Sequence, residues 1–154
     1  MFTNLIASLR NLHPEPLLSL ALWLAGIAHF CVLGAGVQVP YRFNWKEELP
    51  KLSSLNRKLM RVYLVFIGGT IAMLGLLTLL LHDELLRGDR IALILAGCMA
   101  LWWFTRITID AFYFDHDDWP RGKLFVFGHI LLTSTFVAMA FTYTSLLLWH
   151  LVIR

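Results

Sequence analysis

Four stretches of this chain, at about residues 17–39, 62–81, 91–112 and 124–150, are apolar almost without interruption. A run of about 18 or more apolar residues is long enough to cross a bilayer as a helix. A segment in hydrocarbon must also satisfy its own backbone hydrogen bonds, and a helix does so within itself. The chain therefore reads as an all-α integral membrane protein. Its four transmembrane helices form one compact bundle, a single domain over 1–154, with the termini on the same side. The composition agrees: 58% of residues are hydrophobic and 15% charged, against about a quarter charged in soluble domains.

The connections set an expected orientation. The longest, residues 40–61, reads PYRFNWKEELPKLSSLNRKLMR and holds six of the thirteen Lys/Arg. Tyr41, Phe43 and Trp45 suit a membrane interface, and Leu52, Leu55 and Leu59 recur at helical spacing. This segment is expected to lie on the membrane surface or to lead directly into the second span. The loop after span two, HDELLRGDR, carries Gly88 as a stop signal and Asp89 as a cap. Loops 40–61 and 115–123 together hold eight Lys/Arg, while the termini and loop 82–90 hold four. The positive-inside rule then puts the two basic loops in the cytoplasm and both termini outside it, across a bacterial-type inner (plasma) membrane. The basic balance reads as contact with anionic lipid and not with nucleic acid. The N-terminal run is longer than a signal-peptide h-region, so it is expected to be a retained span. Cys31 and Cys98 fall in opposite leaflets, too far apart for a disulfide.

Ionisable residues inside apolar runs are the main functional clue. Such a group costs roughly 2.5–3.5 kcal/mol on insertion scales and normally faces a bundle interior. At about 100° per residue, span three puts Ala92, Met99, Trp103, Arg106 and Asp110 on one face, with Ala96 and Ala100 at its edge. Arg106 and Asp110 stand four apart and can form a buried ion pair. His29 shares a face of span one with Ala25, Leu33 and Gly36. His129 shares a face of span four with Thr133, Phe136, Ala140 and Tyr143. All four ionisable groups fall in the cytoplasmic half of their spans.

Several chemistries fit this constellation. The cluster can be a structural polar network. It can be a haem b site with His29 and His129 as axial ligands, since four-helix bundles hold cofactors between facing helices. It can be a divalent metal site built from His29, His129, Asp110 and His116. It can also bind an anionic or quinone-like lipid headgroup, with Arg106 as the cation. No HxxH, HExxH or ExxH spacing supports the metal reading, and the chain has no GxSxG or phosphate loop. His13, His82 and His150 read as solvated groups at the outer interface.

Two stripes of small residues are expected to point outward as docking faces for other membrane subunits or a second copy. They are Ser134, Ala138, Thr142 and Ser145 on span four, and Gly68, Ala72 and Gly75 opposite Thr70 on span two. Arg106-Ile-Thr-Ile-Asp110-Ala-Phe-Tyr113 resembles, over that stretch alone, the third-to-fourth span region of the four-span eicosanoid and glutathione membrane enzymes. The Arg/Asn/Glu motif of that family at span two is replaced here by LNRKLMRVYL. The first-span His29, followed by a basic segment and a Gly-containing second span, resembles the small haem-binding membrane proteins of the copper-resistance and protoporphyrinogen-oxidase type. The functional expectation is a non-catalytic membrane subunit or binding module with a buried polar site. The alternative is a haem- or metal-binding redox protein.

Overall fold

The computed structural model describes residues 15–114 and 122–153. Four long helices carry the fold: α1 (Glu15–Gly36), α4 (Ser54–Leu80), α6 (Arg90–Phe112) and α7 (Lys123–Leu148). Three short ones, α2 (Val39–Arg42), α3 (Trp45–Glu48) and α5 (His82–Arg87), lie in the connections. No strand occurs among the described residues. All four long helices are long and apolar enough to cross a membrane. At 1.5 Å per residue their 22 to 27 residues reach about 33–40 Å, enough for the roughly 30 Å hydrocarbon layer.

The helix ends follow local chemistry. The Ser53 hydroxyl accepts from the Asn56 N–H at 3.3 Å and caps α4. That cap starts the second long helix at Ser54 and not near Val62, so the basic segment runs directly into it. The expected 82–90 loop contains α5, which ends at Gly88 with φ +78°. Only glycine takes that left-handed conformation at no steric cost. Asp89 occupies the N-cap position of α6 without a side-chain capping bond; its carboxylate meets Arg87 at 3.3 Å instead.

α1 packs along α4, α6 packs along α7, and α1 against α7 joins the two pairs. The core is Leu22, Ala25, Ala96, Met99, Trp103, Phe136, Ala140 and Tyr143, with Leu146 beneath. The alanines of α6 bring the helix axes close. The outer faces carry exposed Leu, Ile and Phe on every long helix, as lipid contact requires. Ser19 of α1 meets His82, and His150 after α7 packs on Gly88. α1 therefore begins, and the chain after α7 ends its described course, at the same end of the bundle.

The structure corrects one docking stripe. Gly75 faces inward: a Cβ there would lie 2.7 Å from the Cβ of His29 and 3.3 Å from the Gly26 carbonyl. Gly68 likewise faces Leu33 of α1. These glycines are where α4 crosses α1 inside the molecule. Thr70 does not mark the inward face, because its hydroxyl donates to the Phe66 carbonyl of its own helix at 2.9 Å and so has no need of the interior.

Candidate functional site

The polar residues of the bundle form layers along α6. The inner layer is built on His29, which is fully buried. Trp103 donates its indole N–H to Nε2 of His29 at 3.3 Å. An indole can only donate, so Nε2 accepts and the ring proton sits on Nδ1. Nδ1 then donates to the Ala25 carbonyl at 2.8 Å. Both ring nitrogens are thus committed within the protein. The imidazole also stands edge-on to Trp103 and Tyr143, at centroid separations of 5.3 and 6.2 Å.

Beside it, Thr78 of α4 lies 2.7 Å from the Tyr143 hydroxyl and 2.9 Å from the Leu74 carbonyl. A hydroxyl has one proton. If Thr78 gives its proton to Leu74, Tyr143 donates to Thr78, and every buried oxygen in the layer is satisfied. Sequence reasoning passed over Thr78. Threonines at helical spacing all have an own-helix carbonyl available, and only the helix crossing selects the buried one.

The second layer is nearer the Phe112/Lys123 end. Arg106 Nη1 donates to Asp110 Oδ1 at 3.3 Å, and the Thr133 hydroxyl donates to Oδ2 at 3.2 Å. His129 Nε2 stands 3.6 Å from Oδ2, an electrostatic contact longer than a hydrogen bond. The Asp110 side chain is 7% exposed and that of Arg106 36%. The carboxylate is thus an inner anchor, and the guanidinium reaches outward from it. Phe136 and Phe114 support the guanidinium at 5.1 and 6.0 Å from their ring centroids. Trp103 stacks on Phe136 at 5.1 Å, which connects the two layers.

His129 and Thr133 also border the outer face of α7. A groove of about 570 Å³ runs along the outer face of α7, lined by His129, Thr133, Ser134, Val137, Ala138 and Phe141 among others. His129 and Thr133 belong to both the cluster and the groove. Ser134 and Ala138, the first half of the predicted stripe on span four, are exposed in it, while Thr142 and Ser145 are partly buried. The structure therefore brings together Arg106, Asp110 and His129 and sets His29 in a separate, closed layer. His116 lies outside the described residues. Among the described residues no three His, Cys, Asp or Glu side chains converge as a metal site.

The chain matches no known family model, no curated protein and no solved structure. Its chemistry must therefore be read from its own geometry. For bis-histidine haem the arrangement does not fit as it stands, because the His29 Nε2 that would bind iron accepts from Trp103.

A second polar group sits at the opposite end. His82 is 8% exposed. Its Nε2 lies 3.1 Å from Ser19 Oγ and 3.4 Å from the Ser19 carbonyl, and its Nδ1 lies 2.9 Å from Asp83 Oδ1. Trp23 stacks on the ring at 4.8 Å. His82 is therefore not the solvated interfacial residue expected from its place after an apolar run. Ser19 and His82 are too far apart in sequence for any short motif to have linked them.

Proposed function

We propose that this chain is a membrane-embedded binding module that holds an amphiphile against the flank of α6 and α7. The headgroup offers an acceptor oxygen to Arg106 and His129, and the apolar chain lies along Val137, Ala138 and Phe141. The observation that carries this reading is the continuity between cluster and groove, which share His129 and Thr133.

Three features support it. Asp110 already receives Arg106 and Thr133, while Arg106 has five N–H donors and only part of that set is needed for Asp110. The depth suits a headgroup: Arg106 is six residues from the end of α6 and His129 six residues from the start of α7, about 9 Å of helix in each case. In this reading the Lys/Arg-rich end faces the cytoplasmic leaflet, where anionic lipids are concentrated. A role as subunit of a larger assembly fits the same groove, with a partner helix over Ser134 and Ala138 in place of the amphiphile.

Native mass spectrometry on the detergent-purified chain, with lipid extraction of the same sample, separates these occupants. The expected result is a retained amphiphile with an anionic or carbonyl head. Arg106→Gln releases it through the head and Ala138→Trp by filling the groove. Retention unchanged in both variants would sink the proposal, and a co-purifying polypeptide displaced by Ala138→Trp would replace it with the subunit reading.

A further inference from the structure

The group at the opposite end has the order of a nucleophile, a base and an orienting acid. We propose that Ser19, His82 and Asp83 form an activated serine that reacts with carboxylic esters of amphiphiles at the α1/α5 end of the bundle. This inference is independent of the α6–α7 reading and uses none of its residues.

The hydrogen-bond polarity points in the required direction. The Asp83 carboxylate can only accept, so the proton of His82 sits on Nδ1 at 2.9 Å from it. Nε2 is then a lone pair facing Ser19 Oγ at 3.1 Å, inside the range for a general base and its nucleophile. The ring is held on three sides, by Asp83, by the stacked Trp23 and by burial. When Nε2 gains the serine proton, the Ser19 carbonyl at 3.4 Å becomes an acceptor for it. The charged imidazolium thus has an oxygen at each nitrogen.

Access matches the chemistry. Ser19 is partly exposed, and Trp23, one turn further along α1 and stacked on His82, is an exposed apolar side chain on the same face. It offers an acyl chain a place beside the hydroxyl. The Asp83 side chain is 80% exposed, so water reaches this edge.

The reaction balances without a further cofactor. Ser19 Oγ forms a bond to the ester carbonyl carbon while its proton passes to His82 Nε2. The carbon–oxygen bond of the ester breaks, and the alcohol leaves with the proton from His82. Water then attacks the acyl-serine carbonyl carbon, giving a proton to Nε2; the bond from Ser19 Oγ to the acyl carbon breaks, Oγ takes the proton back from Nε2, and the carboxylic acid leaves. Ser19 and His82 would be the catalytic residues and Asp83 a positioning residue.

The test is covalent labelling of the full chain in detergent micelles with a fluorophosphonate, followed by peptide mapping. The expected result is an adduct on Ser19 and not on Ser53 or Ser134. His82→Gln slows labelling about a hundredfold or more, the usual range for losing a general base. Asp83→Asn, at an exposed position, slows it to a smaller degree with the fold intact. The proposal is overturned if folded wild-type protein gives no Ser19 adduct while a serine hydrolase in the same micelles is labelled. An adduct that forms equally fast in a folded His82→Gln protein also overturns it. Should Ser19→Ala fail to fold, the wild-type peptide map still decides.

Discussion

The hydroxyls of Thr78 and Tyr143 meet at 2.7 Å between α4 and α7, and the Thr78 oxygen also lies 2.9 Å from the Leu74 carbonyl. The two groups are not equivalent. Thr78 has a second acceptor within its own helix, and Tyr143 depends on Thr78.

Thr78→Val should therefore cost more than Tyr143→Phe. Removing Thr78 Oγ strands a buried phenol, which costs about 1–3 kcal/mol, whereas removing the phenol loses one hydrogen bond worth about 0.5–1.5 kcal/mol. The double variant should recover much of the larger loss. Thermal unfolding in a fixed detergent measures all three, and the reverse order of the single variants would refute the donor assignment.

Gly75→Ala and Gly34→Ala should differ sharply. A Cβ at Gly75 meets the Cβ of His29 at 2.7 Å, while a Cβ at Gly34 meets nothing within 4 Å. Overpacking at the α1–α4 crossing should cost about 1–3 kcal/mol. At Gly34 the gain in helix propensity should leave stability unchanged or raised by up to about 1 kcal/mol. Equal melting shifts in the two variants would show that the crossing is looser than described.

Arg106→Ala should destabilise the protein by about 1–3 kcal/mol, between the values for exposed and buried pairs. The carboxylate of Asp110 is buried and the guanidinium is more than a third exposed, which sets the intermediate figure. Asp110→Asn should be milder, since the amide still accepts from Thr133 and Arg106 can turn to water. Chemical or thermal melts of both variants check the order.

His29→Ala should reduce stability and leave bound metal or haem content unchanged, because both imidazole nitrogens are used within the protein. The loss includes about 1–3 kcal/mol for leaving the Trp103 N–H without an acceptor. Metal analysis and an absorption spectrum on wild type and variant would decide it. A Soret band present in the wild type and lost in His29→Ala would restore the haem reading.

Helical phase alone was enough to find the inner face of α6. Ala92, Ala96, Met99, Ala100, Trp103 and Asp110 are its buried residues, because small residues and rare polar ones both seek the interior of a membrane bundle. Phase failed on α4. Gly75 and Thr70 lie on different faces, and it is the glycine, not the polar residue, that marks the inward one. A threonine can return its proton to its own helix, but a glycine cannot create the space that a close crossing needs unless it is at the crossing. The Arg106–Asp110 pair was legible from its spacing of four. Its link to Thr133 and His129, and the pairing of Ser19 with His82, depend on which helices are neighbours. Four apolar helices of similar composition leave that choice to packing detail.

Trp103 gives the molecule a mechanical property. Its N–H is held by His29 of α1 and its ring by Phe136 of α7, so α6 is keyed to two neighbours through one side chain. Rotating the indole to release one partner misaligns it with the other. Sliding α6 by a single turn, about 5.4 Å, breaks both contacts together. One indole therefore fixes the axial register of α6 against α1 and α7 at once.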